Sequence, residues 1–334
     1  NSSTYAFRSM AVRECAPTGM LWQTRHNGIL KEGMDSDKLE GRYQTVCEAP
    51  SGNGFRVGHM PDFLLHSDID DCAPHVHAFY EILWFQRGEG LHTVDFTDYE
   101  VRPGTIFFLT PGQIHHFDSK DRYSGVSIKM CTDFMRDGQD PGSLPLKYDI
   151  FHALDAPPYY MIDDRTAVTL GHLVEEMECE ERNSGEFGNI DMLKAMLRMF
   201  LINVLRHGSQ GTDRHPDESR PSRLLFLKFR QAVEQNYRQM HTVQEYADRL
   251  NVATRTLNKC VNEHSEHSPL ALINDRIVLE AKRMVRYTNM MIKEIALELG
   301  FEDTSYFVKF FKRQTGYLPS DFREAGEVKH CGAR

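Results

Sequence analysis

No apolar run in this chain approaches the ~18 residues needed to cross a bilayer. Its apolar stretches, such as Ile106-Phe107-Phe108-Leu109, are strand-sized. No basic segment followed by an apolar one opens the sequence, so no secretory leader and no membrane association are expected. Paired cysteines are also missing. The seven present (Cys15, Cys47, Cys72, Cys131, Cys179, Cys260, Cys331) are odd in number, scattered, and spaced like neither a zinc knuckle nor a redox couple. That excludes a disulfide framework and points to free thiols in a reducing compartment, with the cytoplasm as the expected location. A nucleophile elbow, a phosphate-binding loop and a dinucleotide fingerprint are absent too, so neither an enzyme of those classes nor a cofactor is expected. Finally, the chain has no overall excess of positive charge: its formal net charge is −9.

That last absence hides an asymmetry. From Ser222 to Arg334, 18 Lys/Arg stand against 14 Asp/Glu, a balance of +4 that leaves −13 on the remainder. A weakly basic C-terminal part joined to an acidic N-terminal part fits a nucleic-acid reader with a separate sensing domain. At 334 residues, 40% hydrophobic and 26% charged, the chain is long enough for two cores.

The text changes character along its length. Residues 1–50 show no sustained period and read as an arm or lead-in. Residues 51–160 carry short apolar runs separated by Gly, Pro and Asp at roughly ten-residue intervals, the pattern of a β-barrel or sandwich. Residues 161–206 turn helical, with Leu193, Met196, Leu197, Phe200, Leu201, Val204 and Leu205 on one stripe. That stripe is expected to pair two subunits. Residues 207–221, rich in Gly, Pro and charge, read as a linker, and residues 222–326 as an all-helical domain.

Within that last domain lies a degenerate repeat. Thr242 to Val252 matches Met291 to Phe301 at an offset of 49, and after the turn Thr254, Leu257, Lys259 and Val261 match Thr304, Phe307, Lys309 and Phe311 at an offset of 50. Each copy begins with a helix bearing apolar residues at i, i+3 and i+7 (Val243, Tyr246, Leu250; Ile292, Ile295, Leu299) and a small residue, Ala247 or Ala296, where a second helix crosses closely. Asn251 or Gly300 then tolerates a left-handed turn. Thr242 with Glu245 forms a capping box, and Asp303 caps the last helix. This is the helix-turn-helix plan. Between the copies, Ser268 caps and Pro269 opens a helix running to Tyr287, about 27 Å long at 1.5 Å per residue. Such a rod sets two recognition helices about one DNA turn apart.

The second copy, Ile292-x-x-Ile295-Ala296-x-x-x-Gly300-Phe301-x-Asp303-x-Ser305-Tyr306-Phe307-x-Lys309-x-Phe311-Lys312, followed by Gly316-x-x-Pro319 and Phe322-Arg323, resembles the signature of the AraC/XylS regulator family. The first copy departs from it. Ala253 replaces a capping Ser, Cys260-Val261 replaces a larger pair ending in Phe, and Glu266 replaces a Gly, so its recognition helix is less well capped. The resemblance implies promoter DNA and RNA polymerase as partners, a homodimer, and activation under control of a small-molecule effector, with carbohydrate the expected class. Thr254, Arg255, Asn258, Lys259, Thr304, Ser305, Val308 and Lys309 are the expected base-edge residues; Lys312 and Arg313 are placed for phosphates.

His75-x-His77-x-x-x-Glu81-x6-Gly88, followed by Gly104-x6-Pro111-Gly112-x-x-His115, resembles the two cupin motifs, in which the corresponding His and Glu bind metal. On one continuous strand, positions 75, 77 and 81 face the same side, and Phe79, Leu83 and Phe85 share that parity. In AraC-type sensing domains the set is polar wall, so His75, His77, Phe79, Glu81 and His115 are expected to contact an organic effector, with no metal. The expected architecture is α+β: a cupin-like barrel, a helical dimerisation segment and a double helix-turn-helix domain. The rival reading is a metal-dependent cupin enzyme, an isomerase or dioxygenase, carrying an accessory DNA module.

Overall fold

A computed structural model describes residues 44–46, 50, 52–60, 72–118, 123–135, 147, 150–152, 156–209 and 221–325. Most of the expected arm and linker therefore lies outside the described residues. One piece of the arm does not: Gln44–Val46 is a strand, β1, paired in parallel with His75–His77 (β3). Residues 44–46 of the lead-in therefore belong to the sheet.

The remaining strands are β2 (Phe55–Met60), β4 (Tyr80–Arg87), β5 (Gly90–Val94), β6 (Thr97–Val101), β7 (Thr105–Leu109), β8 (Ile114–Phe117), β9 (Ser124–Met130) and β10 (Tyr159–Met161). They form two five-stranded sheets, ordered β1-β3-β8-β5-β6 and β10-β7-β4-β9-β2. Alternation along β4 divides two cores. Leu83 and Phe85 meet Phe107, Phe117, Val94 and Val101 between the sheets. Ile82 and Trp84, with Ile106, Phe108, Val126 and Ile128, face the other way.

That outer face is covered by two helices, α1 (Asp164–Arg182) and α2 (Asn189–His207). Leu170, Val174 and Met177 of α1 and Leu193, Leu197, Phe200, Leu201 and Val204 of α2 pack on it, all fully buried within the single chain. At about 1.5–3 kcal/mol per buried large apolar side chain, this contact holds the helices to the sheet. The α2 stripe is therefore internal core, which corrects the expectation that it pairs subunits. The sequence period fixes that the stripe is buried and is silent about its partner.

The helical domain comprises α3 (Pro221–Asn236), α4 (Val243–Arg249), α5 (Thr254–His264), α6 (Pro269–Tyr287), α7 (Ile292–Glu298), α8 (Thr304–Thr315) and α9 (Pro319–Glu324). The two helix-turn-helix units are α4–α5 and α7–α8, joined by the 19-residue rod α6. Tyr246, Ala247, Leu257 and Val261 in the first unit, and Ile295, Ala296, Phe307 and Phe311 in the second, are fully buried. The turns are left-handed at Asn251 (φ 54°) and Gly300 (φ 78°). A Cβ at Gly300 would collide with the Arg238 carbonyl, so only glycine fits there. Caps follow the sequence. Thr242 and Glu245 form the box, Ser268 Oγ accepts from Ala271 N (3.2 Å), and Asp303 Oδ1 accepts from Tyr306 N (2.9 Å). Ala253 supplies no side-chain cap to α5.

Candidate functional site

The recognition helices expose matching faces. In α5, Arg255 and Lys259 are exposed while Thr254 and Asn258 are half-buried. The Thr254 hydroxyl donates to Gln244 Oε1 (2.6 Å), and Asn258 Nδ2 donates to the Thr254 carbonyl (2.8 Å). Lys259 Nζ lies 3.9 Å from Glu263 Oε1. In α8, Thr304, Ser305, Lys309, Lys312 and Arg313 are exposed and Val308 is half-buried. Ten expected residues thus fall on the two outer faces. Thr256 of α5 and Tyr306 of α8 are exposed too, and Gln244 of α4 holds Thr254; none of the three was singled out from sequence. Reading α5 and α8 as full helical wheels would have found the first two.

A second cluster lies in the barrel. β3 ends at His77 and β4 begins at Tyr80 in the opposite sheet, so the expected single strand from 75 to 81 is instead a crossing between sheets at Ala78–Phe79. Convergence arises differently. His75 and His77 alternate to one face of β3, and His115 is the cross-strand neighbour of His75 on β8. Glu81 reaches in from the facing sheet, its Oε2 3.2 Å from His77 Nε2. Glu81 Oε1 accepts from Ser127 Oγ (2.7 Å) and lies 3.7 Å from Lys129 Nζ. The relative exposures of His75, His77, Glu81 and His115 are 1%, 7%, 1% and 2%.

His92, on β5, joins the cluster: its Nε2 lies 3.1 Å from His115 Nδ1, and its ring stacks on Phe117. No motif marks it; only the alternation of β5 points it inward. Burial, reinforced by neighbouring imidazoles, holds His77, His92 and His115 well below the usual histidine value, so all three are neutral. One nitrogen from each of His75, His77 and His115 lies within 4.8 Å of the others. Both ring nitrogens of His77, and Nε2 of His115, have no hydrogen-bond partner.

A third feature joins the barrel to the helical domain. Asp95, at the β5–β6 turn with φ 55°, accepts Arg283 of α6 in two bonds, Nε to Oδ1 (2.7 Å) and Nη2 to Oδ2 (2.9 Å). Gln113, between His77's neighbour Gly112 and His115, donates to Asp95 Oδ2 (3.2 Å), and Gly112 N donates to the His77 carbonyl (2.9 Å). Phe96 packs beside Tyr287 and Phe322, ring centroids 5.8 Å from each. Behind Arg283, Glu280 sits among Arg238 (3.0 Å), Arg276 (3.1 Å) and Arg283 (3.5 Å). Burial alone would raise the Glu280 carboxyl, but the three guanidinium groups outweigh it and hold it at about 2.

An AraC-like ligand binding domain matches residues 62–186, and a helix-turn-helix domain matches residues 246–325. The HTH-type transcriptional activator RhaR of Escherichia coli (strain K12) is 23% identical over 270 residues, 78% of this chain and 90% of RhaR. The HTH-type transcriptional activator RhaS of Enterobacter sp. (strain 638) is 22% identical over 278 residues, 82% of this chain and 96% of RhaS. Among solved structures, ToxT from Vibrio cholerae is similar at 17% identity and a TM-score of 0.34, covering 81% of this chain and 97% of that one. No described helix is long and apolar enough to cross a membrane.

Proposed function

We propose, from the premise that this chain belongs to the AraC/XylS family of DNA-binding transcription regulators, that its two helix-turn-helix units read one promoter site on successive turns of the major groove. The observation that carries this reading is the pair of polar faces in the same helical phase, 254/255/258/259 and 304/305/308/309, on two helices that both pack against one continuous rod. Thr254, Arg255, Asn258 and Lys259, with Thr304, Ser305, Val308 and Lys309, are assigned to base edges. Exposed Thr256 and Tyr306 extend those two sets. Lys312 and Arg313 follow on the same helix and are assigned to phosphates.

The barrel is the ligand-responsive half. The domain division proposed is barrel from 51 to 160 with β1 added, helical pair to 206, linker to 221 and DNA reader to 326. Control runs through the Asp95–Arg283 joint, because Gln113 connects it to the strand that carries His115. A homodimer is retained, but its contact moves to the outward side of α1–α2, where Ile190, Met192 and Met199 are exposed. Activation through RNA polymerase in the cytoplasm, the sense of control in the names of RhaR and RhaS, completes the reading. The effector, a carbohydrate, is assigned to the polar cluster between the sheets, with His75, His77, Phe79, Glu81 and His115 as its contacts.

The test is selection of genomic DNA fragments by the full chain at about 50 mM salt, where phosphate contacts are strongest. Retained fragments should share two elements one helical turn apart. Recovery of no fragment above bulk DNA would overturn the assignment.

A further inference from the structure

We propose that the β5–β6 hairpin is an autoinhibitory clasp. Closed on the rod α6 through Asp95 and Phe96, it holds the acidic N-terminal part against the DNA reader and lowers promoter affinity; its release raises that affinity. The proposal rests on the reading of the helical domain as a DNA reader, and it gives the barrel's control a direction.

The clasp is built at a turn. Asp95 and Phe96 are the two residues between β5 and β6, and Asp95 takes left-handed backbone, φ 55°, which an aspartate tolerates. From there its carboxylate meets Arg283 Nε at 2.7 Å and Nη2 at 2.9 Å, a bidentate, charge-assisted pair. The Tyr287 hydroxyl donates to the Asp95 carbonyl (3.4 Å), and Phe96 packs beside Tyr287 of α6 and Phe322 of α9. Lys282 Nζ stands 5.9 Å from the centre of the Phe96 ring. The rod so gripped is the one against which both recognition helices pack.

Three observations make this contact releasable. Among the described residues, neither apolar cluster of the barrel includes a side chain of the reader, and Phe96 stays 36% exposed at the contact. Small interfaces of this kind between domains open readily. The reader's own charges also balance without the barrel: Arg238, Arg276 and Arg283 stand against Glu234, Glu280 and Glu298. When Asp95 leaves, Arg283 keeps Glu280 (3.5 Å) and gains water in place of the carboxylate, so no buried charge is left alone. A second touch, His152 Nδ1 4.0 Å from Glu234 Oε1 on α3, adds little charge, because burial holds His152 at about 4 and neutral.

The direction follows from charge. Residues before Ser222 carry −13 against +4 for the reader. Closed, the clasp fixes that acidic body beside helices that must approach phosphates, and one of its carboxylates neutralises Arg283. Open, the acidic body can move beyond the 8–10 Å over which its charge is felt at ordinary salt. The barrel centre has a short path to the clasp. Asp95 follows β5, which carries His92, and Gln113 precedes β8, which carries His115. Asp95 N donates to the Ile114 carbonyl (2.6 Å), Gln113 donates to Asp95 Oδ2, and the two imidazoles meet at 3.1 Å. An occupant that turns either ring displaces strands that end at the clasp, and it opens the clasp if it binds the displaced form more tightly.

The test uses the full chain and one genomic fragment retained in the selection above. Asp95→Lys sets a cation against Arg283; Glu100→Lys, at an exposed position of the same hairpin, makes the same change of charge away from Arg283. Small-angle scattering should show Asp95→Lys more extended than Glu100→Lys, and Asp95→Lys should bind the fragment at least about fivefold tighter than Glu100→Lys. Asp95→Asn keeps the turn and loses the charge, so its affinity should fall between those of the native chain and Asp95→Lys. Equal scattering profiles for the two lysine variants, or equal or weaker binding by Asp95→Lys, overturn the clasp. If Asp95→Lys fails to fold, Asp95→Asn against Glu100→Gln decides by the same two measurements. The two readings fail separately. Fragment binding by the native chain with no gain on opening sinks the clasp and leaves the DNA reader standing, whereas no binding by any variant sinks both.

Discussion

The barrel centre and the Glu280 cluster of the helical domain both bury polar groups, and they treat them in opposite ways. In the helical domain every buried charge named above is matched. Glu280 has three guanidinium neighbours, Arg276 reaches Glu234 at 2.8 Å, and Arg283 grips Asp95 with two bonds. At the barrel centre, imidazoles crowd together with nitrogens that have no partner.

The largest test of this contrast removes one group from each region. Glu280→Leu leaves three buried guanidinium groups short of a counter-charge and should cost about 3–5 kcal/mol. His77→Leu removes unsatisfied nitrogens at similar volume and should cost less than about 1.5 kcal/mol, or stabilise. Denaturant midpoints measure both, and equal losses would break the contrast.

Acid should separate the regions next. His77, His92 and His115 stay neutral when folded but take up protons when unfolded, so the protein loses stability as the pH falls below about 6.5, by up to about 1.4 kcal/mol per unit per imidazole. His152, held by burial at about 4, adds to the same side. Glu280 acts lower down. Its carboxyl sits at about 2 against an ordinary 4.5, so its contribution is intact above 4.5 and is lost as the pH falls toward 2. Between pH 6.5 and 4.5 the barrel should loosen first. Fluorescence of Trp84, buried on the sheet, reports this in a Trp22→Phe background, against hydrogen exchange in α6. Simultaneous loss of both signals would count against the separation.

Exposed charges sharpen the comparison from the other direction, since they should serve DNA and leave folding alone. Arg255→Ala should relax preference at one base position by about 1–3 kcal/mol. Lys312→Ala should weaken all sequences evenly and reduce the salt slope by about one counterion. Quantitative binding to a panel of single-base variants tells them apart, and unequal effects of Lys312→Ala across the panel would reassign it to a base.

The smallest effects lie at the helix starts. Asp303→Ala should cost about 1 kcal/mol in the second unit, while Ala253→Ser should add a similar amount to the first by supplying its missing cap. Thermal midpoints check both, and no gain from Ala253→Ser would mean that tertiary packing alone fixes the start of α5.

How much of this was legible in the sequence follows from the range of the interactions. Caps, turns and the rod are written within a few residues of one another, and Thr242, Asn251, Ser268, Gly300 and Asp303 behave as their positions imply. The histidine spacing was legible as a motif, but its geometry was not. The chain changes sheets after His77, and the fourth imidazole, His92, comes from a strand that no motif marks. The α2 stripe reads as buried, yet only tertiary structure shows the sheet beneath it. Asp95 and Arg283, 188 positions apart, carry no local signal of each other.

The grip of Asp95 on Arg283 also makes the molecule reversible in its reporting. If an occupant of the barrel alters DNA affinity through that joint, promoter DNA must alter the occupant's affinity by the same factor. A cell's supply of open promoter sites would then help set how much ligand the protein retains, and a bound operator could be detected by titrating the barrel alone.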